Sequence, residues 1–161
     1  MTDGNPAHPN FAAVPQIPSC VQSHMHLFYC PSLKTGEFDL PEEEAHHARS
    51  VLRLSPGTRI GLLDGKGTLA EAVIQTVDKR RVQVNVTSER MADRERRARI
   101  HLAVAPTKQM ERFEWMLEKC TEIGVDRITP LITTRTERTK LRPDRLERVL
   151  IGAMKQSQRA W

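Results

Sequence analysis

A charged run at residues 89–99, ERMADRERRAR, divides the chain into two parts with different hydrophobic patterns. The run carries no apolar stripe, which predicts a solvated linker. Before it, apolar residues recur at period two in short segments; after it, apolar runs alternate with helical stripes. A chain of 161 residues is long enough for one large domain or two small ones. The pattern therefore predicts two domains, at residues 25–92 and 98–161.

The first part is predicted to be a small β-barrel. Residues 26–30, HLFYC, have a strand pattern, and residues 81–88, RVQVNVTS, place their valines on one face. The sequence DGKG at residues 64–67 predicts a hairpin between two further strands. Residues 40–54 are typical of a helix, because Pro41 suits the first turn and acidic residues follow it. Short strands, tight turns and a single helix favour a barrel.

The second part is predicted to be strand, helix, strand, helix. IHLAVA at residues 100–105 and RITPLIT at residues 127–133 are apolar runs, typical of strands buried on both faces. The helix between them is indicated by an apolar stripe at Met110, Phe113, Met116, Leu117, Cys120 and Ile123. Gly124 suits the left-handed conformation that ends a helix, and Pro143 starts the last helix. This order is typical of a parallel α/β sheet.

The composition favours a nucleic-acid partner. The net charge is +5 and the pI about 9.4, and the positive charge is mainly arginine, whose planar fork suits phosphate. No apolar run approaches the ~20 residues that a membrane span needs, and residues 1–24 are predicted to be a disordered tail. Cys20, Cys30 and Cys120 show no CxxC or other zinc spacing, which argues against a metal site and for a reducing cytoplasm. A metal or redox protein that uses these cysteines stays an alternative.

Four motifs then occur in a fixed order. They are HHARSVLRLSPGTRIGLLDGKG at residues 46–67, KQMERFEWMLEKCTEIGVDRITPL at residues 108–131, TERTK at residues 136–140 and AMKQSQR at residues 153–159. Together they resemble the RsmE family, which comprises bacterial 16S ribosomal RNA methyltransferases that act on N3 of a uridine. The resemblance covers nearly all of the chain outside the predicted tail.

The resemblance implies a PUA-like RNA-binding β-barrel followed by the first part of a SPOUT-type α/β methyltransferase domain with a trefoil knot. It also implies S-adenosylmethionine as cofactor, 16S ribosomal RNA or the small ribosomal subunit as partner, a homodimer in the full-length form, and a cytoplasmic location. The family's glycine-rich cofactor loop would follow Trp161, so the cofactor site is expected beyond residue 161. Two interpretations stay open: a fragment of a longer methyltransferase, or a non-catalytic RNA-binding module from the same family.

Three residues in the last two motifs are candidate catalytic groups. Methylation at N3 of uridine requires loss of the N3 proton, and charge stabilisation at the flanking carbonyl oxygens favours that loss. Arg138 and Arg159 offer guanidinium forks for this task, and Gln156 is a candidate hydrogen-bond partner of the base edge. Glu137 is expected to orient Arg138. The alternative is that all four are ordinary surface side chains.

Other basic residues are candidate RNA contacts. Arg49 and Arg53 are four residues apart on one predicted helix, and Lys108 and Arg112 are four apart on the next. Each pair is therefore expected to share a helical face and to present two charges to phosphate. For Lys108 and Arg112, together with Lys119, the favoured alternative is a solvated helix face with Glu111 and Glu118 as ion-pair partners. Lys66 is expected at the tip of the hairpin, where it too can reach RNA.

The stretch KCTEIGV at residues 119–125 is expected to support the active-site wall. Lys119 and Glu122 are three residues apart, which predicts an ion pair on the last helical turn. The alternative is a capped helix end with no functional role. Lys155 lies where many members of the resembled family have glutamate, so it reverses a charge beside the predicted substrate site.

Overall fold

The computed structural model describes residues 25–92 and 98–161, here called the N-terminal half and the C-terminal half. The predicted tail at residues 1–24 and residues 93–97 of the charged run lie outside the described residues. The N-terminal half has one helix, α1 (Glu42–His46), which continues as a π-helical turn, His47–Val51. Its strands are β1 (Leu27–Tyr29), β2 (Glu37–Asp39), β3 (Arg59–Leu63), β4 (Thr68–Val77) and β5 (Val82–Met91).

These five strands form one sheet in the order β1-β3-β4-β5-β2. β1 pairs with β3 in parallel, and the other neighbours are antiparallel. The predicted hairpin is confirmed between β3 and β4, where Asp64 Oδ1 accepts hydrogen bonds from the amides of Lys66 (2.7 Å) and Thr68 (2.9 Å). No ladder joins β1 to β2 within the described residues, and closure into a barrel stays a prediction.

The core of the N-terminal half is formed by this sheet and α1. The predicted alternation in β5 is confirmed, because Val82 and Val84 are buried while Gln83 between them is partly exposed. Ala45 and Ala48 add the buried face of α1 and its π-helical continuation. The side chains of this core that are at most 1% exposed include Phe28, Cys30, Ile60, Leu62, Ala72 and Ile74.

The C-terminal half follows the predicted order of strand, helix, strand, helix. Its elements are β6 (His101–Val104), α2 (Met110–Glu122), β7 (Arg127–Pro130) and α3 (Pro143–Ser157). β6 and β7 are parallel, with Leu102 opposite Ile128. Because α2 connects the end of β6 to the start of β7, it runs against the strands, and α3 packs along it. The carboxyl ends of the strands and the carboxyl ends of the helices therefore lie at opposite edges of this half.

The predicted linker at residues 89–99 is wrong for its first three residues. Glu89, Arg90 and Met91 belong to β5 and pair with Ala70, Leu69 and Thr68 of β4. Their side chains are exposed, so the strand gains backbone pairing without burying a charge. Charge alone does not end a strand when the ladder beside it continues.

The expectation that β6 and β7 are buried on both faces is also wrong. Burial alternates along β6, with His101 and Ala103 exposed, and Ile132 after β7 is 56% exposed. Within the described residues the two strands pair only with each other. The apolar side chains of β6 and β7 are therefore only partly buried by the residues that the structure describes.

The two halves meet along α3 and the residues after it. α3 packs against β1. Beyond α3, Ala160 accepts a hydrogen bond from the amide of Gly67 (2.8 Å), and the ring of Trp161 lies against Gly67. Gly67 has a φ of +110° and no room for a β-carbon beside that ring. The β3–β4 hairpin is thus part of the contact between the halves, which its sequence alone did not indicate.

Candidate functional site

One group of candidate residues lies at the carboxyl ends of β6 and β7. Ligands of open α/β sheets bind at this edge, because the loops that follow parallel strands meet there. Lys108, after β6, forms an ion pair with Glu137, after β7, with 3.3 Å between Nζ and Oε2. Thr136 Oγ1 accepts a hydrogen bond from the amide of Thr133 (2.8 Å), which braces the second loop. Arg138 follows directly and is exposed to solvent.

Two expectations about this group need correction. Glu137 was expected to orient Arg138, but the partner of its carboxylate is Lys108. Lys108 was expected to share a helical face with Arg112, but α2 begins at Met110 and Lys108 lies in the preceding loop. Arg112 is exposed on the first turn of α2. The residues still belong to one edge, because the loop after β6 leads directly into that turn.

A second group lies at the carboxyl end of α2. Lys119 Nζ donates to Glu122 Oε1 and to Glu118 Oε1, each at 2.8 Å. The hydrogen bond that Lys119 donates to Glu118, followed by the one it donates to Glu122, raises the pKa of Lys119. The predicted ion pair is therefore present, and it is shared with Glu118.

The predicted glycine cap after this turn is confirmed. Gly124 has a φ of +80°, its amide donates to the Thr121 carbonyl (3.0 Å), and the Val125 amide donates to the Cys120 carbonyl (2.9 Å). These two bonds define a Schellman motif. Arg159 completes the turn, because its Nε donates to the Glu122 carbonyl (3.1 Å).

Arg138 and Arg159 are not brought together. Arg138 follows β7 at one edge. Arg159 follows α3 and contacts the last turn of α2 at the other edge. A helix of 13 residues such as α2 rises roughly 20 Å from end to end. The two arginines therefore lie at opposite edges of this half. Gln156 is exposed on α3, near the Arg159 end, and belongs with the second group.

Gln156 lines a groove of about 840 Å³ between α1 and α3. Tyr29 forms part of its wall, and burial, followed by the charge of Glu147, raises the pKa of the Tyr29 hydroxyl. The acidic residues that line the groove are Glu42, Glu43, Glu44, Asp144 and Glu147. Arg148 and Lys155 line the groove too, and they pair with Glu43 and Glu44. The remaining acidic excess disfavours entry of a phosphate backbone.

The three basic candidates of the N-terminal half are separated. Arg49 lies in the π-helical turn, but the helix ends before Arg53, whose φ is +53°. The two do not share a helical face, and that expectation is wrong. Arg53 and Lys66 are both exposed, and Lys66 Nζ donates to the Pro31 carbonyl (3.1 Å). Arg53 is consequently the candidate most open to phosphate.

The described residues show no group of three or more histidine, cysteine, aspartate or glutamate side chains that could hold a metal ion. Burial, followed by the charge of Glu44, raises the pKa of the Cys30 thiol to about 12, which disfavours the reactive thiolate. Cys20 lies outside the described residues. None of the helices in residues 25–92 and 98–161 is long and apolar enough to cross a membrane.

Comparison with known protein families assigns both halves. Residues 40–87 match the RNA methyltransferase PUA domain, and residues 94–161 match the RNA methyltransferase domain. The chain therefore belongs to the RNA methyltransferases that join these two domains.

Its curated relatives include the ribosomal RNA small subunit methyltransferases E of Bacillus subtilis, 27% identical over 76% of this chain, and of Synechocystis, 32% identical over 76%. The resemblance to the RsmE family is confirmed. The chain spans only 50% and 40% of the lengths of these two relatives.

Solved structures agree with this assignment. A probable rRNA methyltransferase from Porphyromonas gingivalis is 44% identical, with a TM-score of 0.78 over 84% of this chain and 57% of its own. A ribosomal RNA small subunit methyltransferase E from Neisseria gonorrhoeae, solved bound to S-adenosyl methionine, is 32% identical, with a TM-score of 0.76 over 85% and 58%. The mixed arrangement of a PUA half and an α/β half is therefore the fold of these methyltransferases.

Proposed function

We propose that this protein acts in the methylation of small-subunit ribosomal RNA in the cytoplasm, with S-adenosylmethionine as methyl donor and N3 of a uridine as the methylated atom. The observation that carries the proposal is the order of the two domain matches, PUA before methyltransferase, in one chain. The Neisseria gonorrhoeae relative, bound to S-adenosyl methionine, supports the choice of donor. The proposal includes a homodimer of the full-length form, and Trp115, 62% exposed on α2, is the kind of residue that interfaces bury.

The carboxyl edge of β6 and β7 is the proposed place for the target base. The Arg138 guanidinium is suited to donate hydrogen bonds to the carbonyl oxygens beside N3, where negative charge develops as the N3 proton leaves. Glu137 holds Lys108 across the two loops, and Lys108 and Arg112 are suited to contact the flanking phosphates. In this assignment Gln156 lines the groove between the halves, and Arg159, Lys119 and Glu122 support the end of α2.

The described residues do not by themselves fit an adenosyl cofactor. The loops after β6 and β7, residues 105–109 and 131–142, contain no glycine, so they offer no glycine-rich backbone cradle at this edge. We assign the binding and orientation of RNA to the part of the chain described here. This observation favours a second candidate function, a non-catalytic RNA-binding module.

Cofactor binding by this chain is directly measurable. We expect isothermal calorimetry with S-adenosylmethionine to show weak binding or none, because the cradle is missing from the described loops. Tight one-to-one binding would show that the cofactor site lies within these residues and would overturn our inference that the described loops do not fit the cofactor.

Nucleoside analysis tests the proposed function. Deleting the gene in its host should abolish one 3-methyluridine in small-subunit ribosomal RNA, as measured by mass spectrometry of the digested RNA, and the restored gene should return it. Large-subunit RNA from the same cells is the control. An unchanged 3-methyluridine content, together with RNA binding by the purified chain, would favour the non-catalytic module.

Salt dependence tests the RNA surface of the N-terminal half. Because Arg53 is exposed, Arg53→Ala should lower the slope of log affinity against log salt by about one unit. Arg49 is the matched control, because it is half-buried and its Nη1 lies 3.5 Å from the Asp78 carbonyl. Equal slopes for the parent and Arg53→Ala would assign Arg53 to an ordinary surface.

A further inference from the structure

We propose that the ion pair between Lys155 and Glu44 is a positioning pair that sets the orientation of the PUA half on the methyltransferase half. Lys155 Nζ lies 2.9 Å from Glu44 Oε1 and 2.8 Å from Glu44 Oε2. Lys155 belongs to α3 and Glu44 to α1, so the pair joins the two halves. The side chains are only 22% and 11% exposed, which makes this the least exposed of the ion pairs in the described residues.

Because the Lys155–Glu44 pair is buried, its energy depends on how the two halves are oriented. A buried ion pair adds little net stability, since both charges lose their water, but a misplaced partner leaves a buried charge uncompensated. Only orientations that bring Lys155 onto Glu44 avoid that cost. The Lys155 ammonium also lies 5.5 Å from the centre of the Phe28 ring, in the core of the N-terminal half. One cation is therefore held from two sides by the PUA half.

A neighbouring pair provides a matched control. Arg148 also belongs to α3 and faces α1, where its Nη2 lies 3.7 Å from Glu43 Oε1. These side chains are 69% and 82% exposed, so water compensates either charge when the pair breaks. Both pairs cross the same contact with the same charge arrangement. They differ in burial, which is the property that the proposal depends on.

The pair has a consequence for RNA binding that rests on the proposed function. RNA that contacts both halves at once binds more tightly than either half alone only if the halves are held at a compatible angle. Lys155 precedes Gln156 on α3 and lies four residues before Arg159, the residue that fastens the end of α2. Loss of the pair should therefore let the orientation of the two halves vary, and with it the position of Arg53 in one half relative to Lys108 in the other.

The orientation is testable without RNA. Spin labels at Lys79→Cys and Gln109→Cys, both exposed positions, report the distance between the halves when Cys20 and Cys120 are replaced by serine. We expect a narrow distance distribution for the parent and for Arg148→Met, and a broad one for Lys155→Met. The charge swap of Glu44→Lys with Lys155→Glu should narrow the distribution again.

An apolar replacement separates positioning from stability. Lys155→Met alone leaves the Glu44 charge uncompensated and should lower the melting temperature. Glu44→Leu with Lys155→Met removes both charges and should return the melting temperature to the parent value, while the distance distribution stays broad. A narrow distribution in Lys155→Met, or in this apolar pair, would overturn the proposal, because packing alone would then set the angle.

RNA binding adds a second measurement. Lys155→Met should weaken binding to small-subunit RNA about tenfold through lost cooperation between the halves, whereas Arg148→Met, which removes the same charge, should change it much less. Equal losses in both variants would overturn the positioning role. The distance measurement stands even if RNA binding proves absent, so failure of the proposed function and failure of this inference are distinguishable.

Discussion

The two halves of the molecule bury their apolar side chains to different extents. The N-terminal half has a continuous core around Phe28 and Ile60, both completely buried. The C-terminal half buries Phe113 and Leu117 between its helices but leaves Ile123 54% exposed and Ile132 56% exposed. A two-stranded sheet is marginal in water on its own. From this difference we expect the N-terminal half to support its own fold and the described C-terminal half to be stabilised by its contact with the N-terminal half.

The largest expected effect comes from removing a buried side chain from the core of the N-terminal half. Phe28→Ala removes a completely buried ring and should lower the free energy of unfolding by about 3–5 kcal/mol, the usual cost of such a cavity. Denaturant titration measures the change. Ile132→Ala, at an exposed apolar position, is the control and should stay within about 0.5 kcal/mol. Similar losses in both variants would mean that the two halves do not differ in packing.

A smaller effect is expected where the C-terminal half contacts the β3–β4 hairpin. Gly67→Ala places a methyl group against Trp161 at a φ of +110° and should cost about 1–3 kcal/mol. With Trp115→Phe in the background, Trp161 is the single tryptophan, so its fluorescence reports the contact. We expect a red shift as its ring becomes solvated.

Gly57→Ala is the matched control for that experiment. Gly57 also has a positive φ, +88°, but a β-carbon there meets nothing within 4 Å. It should therefore lose stability through backbone strain alone, with unchanged tryptophan emission. A red shift in the control, or none in Gly67→Ala, would show that Gly67 does not hold the halves together.

A still smaller effect is expected at the end of α2. Gly124→Ala should cost about 1 kcal/mol, because its φ is +80° and the new β-carbon lies 3.1 Å from an Arg159 nitrogen. Gly152→Ala, inside α3 with nothing within 4 Å, should instead gain about 0.4–1 kcal/mol. Thermal unfolding of the two variants measures both signs. A gain in stability for Gly124→Ala would show that neither the left-handed cap nor the Arg159 contact requires glycine at this turn.

The smallest effect concerns acid. Burial opposes ionisation of Asp64, but hydrogen bonds from the Lys66 and Thr68 amides outweigh it and lower the pKa of the Asp64 carboxyl. A lowered folded-state pKa gives stability that is complete above the ordinary carboxyl pKa of about 4 and is lost as the pH falls through the folded value. Denaturant titrations from about pH 6 to about pH 3 should therefore show a steeper loss of stability for the parent than for Asp64→Asn. Parallel curves would show that Asp64 does not contribute to the loss of stability at low pH.

Local patterns predicted much of the fold. The hairpin at residues 64–67, the alternation in β5 and the glycine end of α2 are encoded within a few neighbouring residues, and all three are confirmed. The strand status of residues 89–91 was missed because it depends on a continuing ladder with β4, not on the composition of the segment itself. The partial exposure of β6 was missed because burial depends on which elements cover a strand.

The candidate site was harder to predict because motif order carries no information about sheet edges. Arg138 and Arg159 are close in sequence terms, yet α3 lies between them and carries Arg159 to the far end of α2. Lys155 was noticed as a charge reversal, but its partner Glu44 lies 111 residues earlier. No periodicity or spacing connects residues at that separation, so their contact required the folded structure.

That separation also has a kinetic consequence. Closing a chain segment of 111 residues carries a loop-closure entropy that must be lost before the contact returns any energy. We therefore expect the N-terminal half to fold first and the Lys155–Glu44 contact to form after the transition state. Substitutions at this contact should then accelerate unfolding while leaving the folding rate nearly unchanged. Stopped-flow measurements would see the contact chiefly in the unfolding arm of the chevron, which makes it a determinant of how long the folded molecule persists.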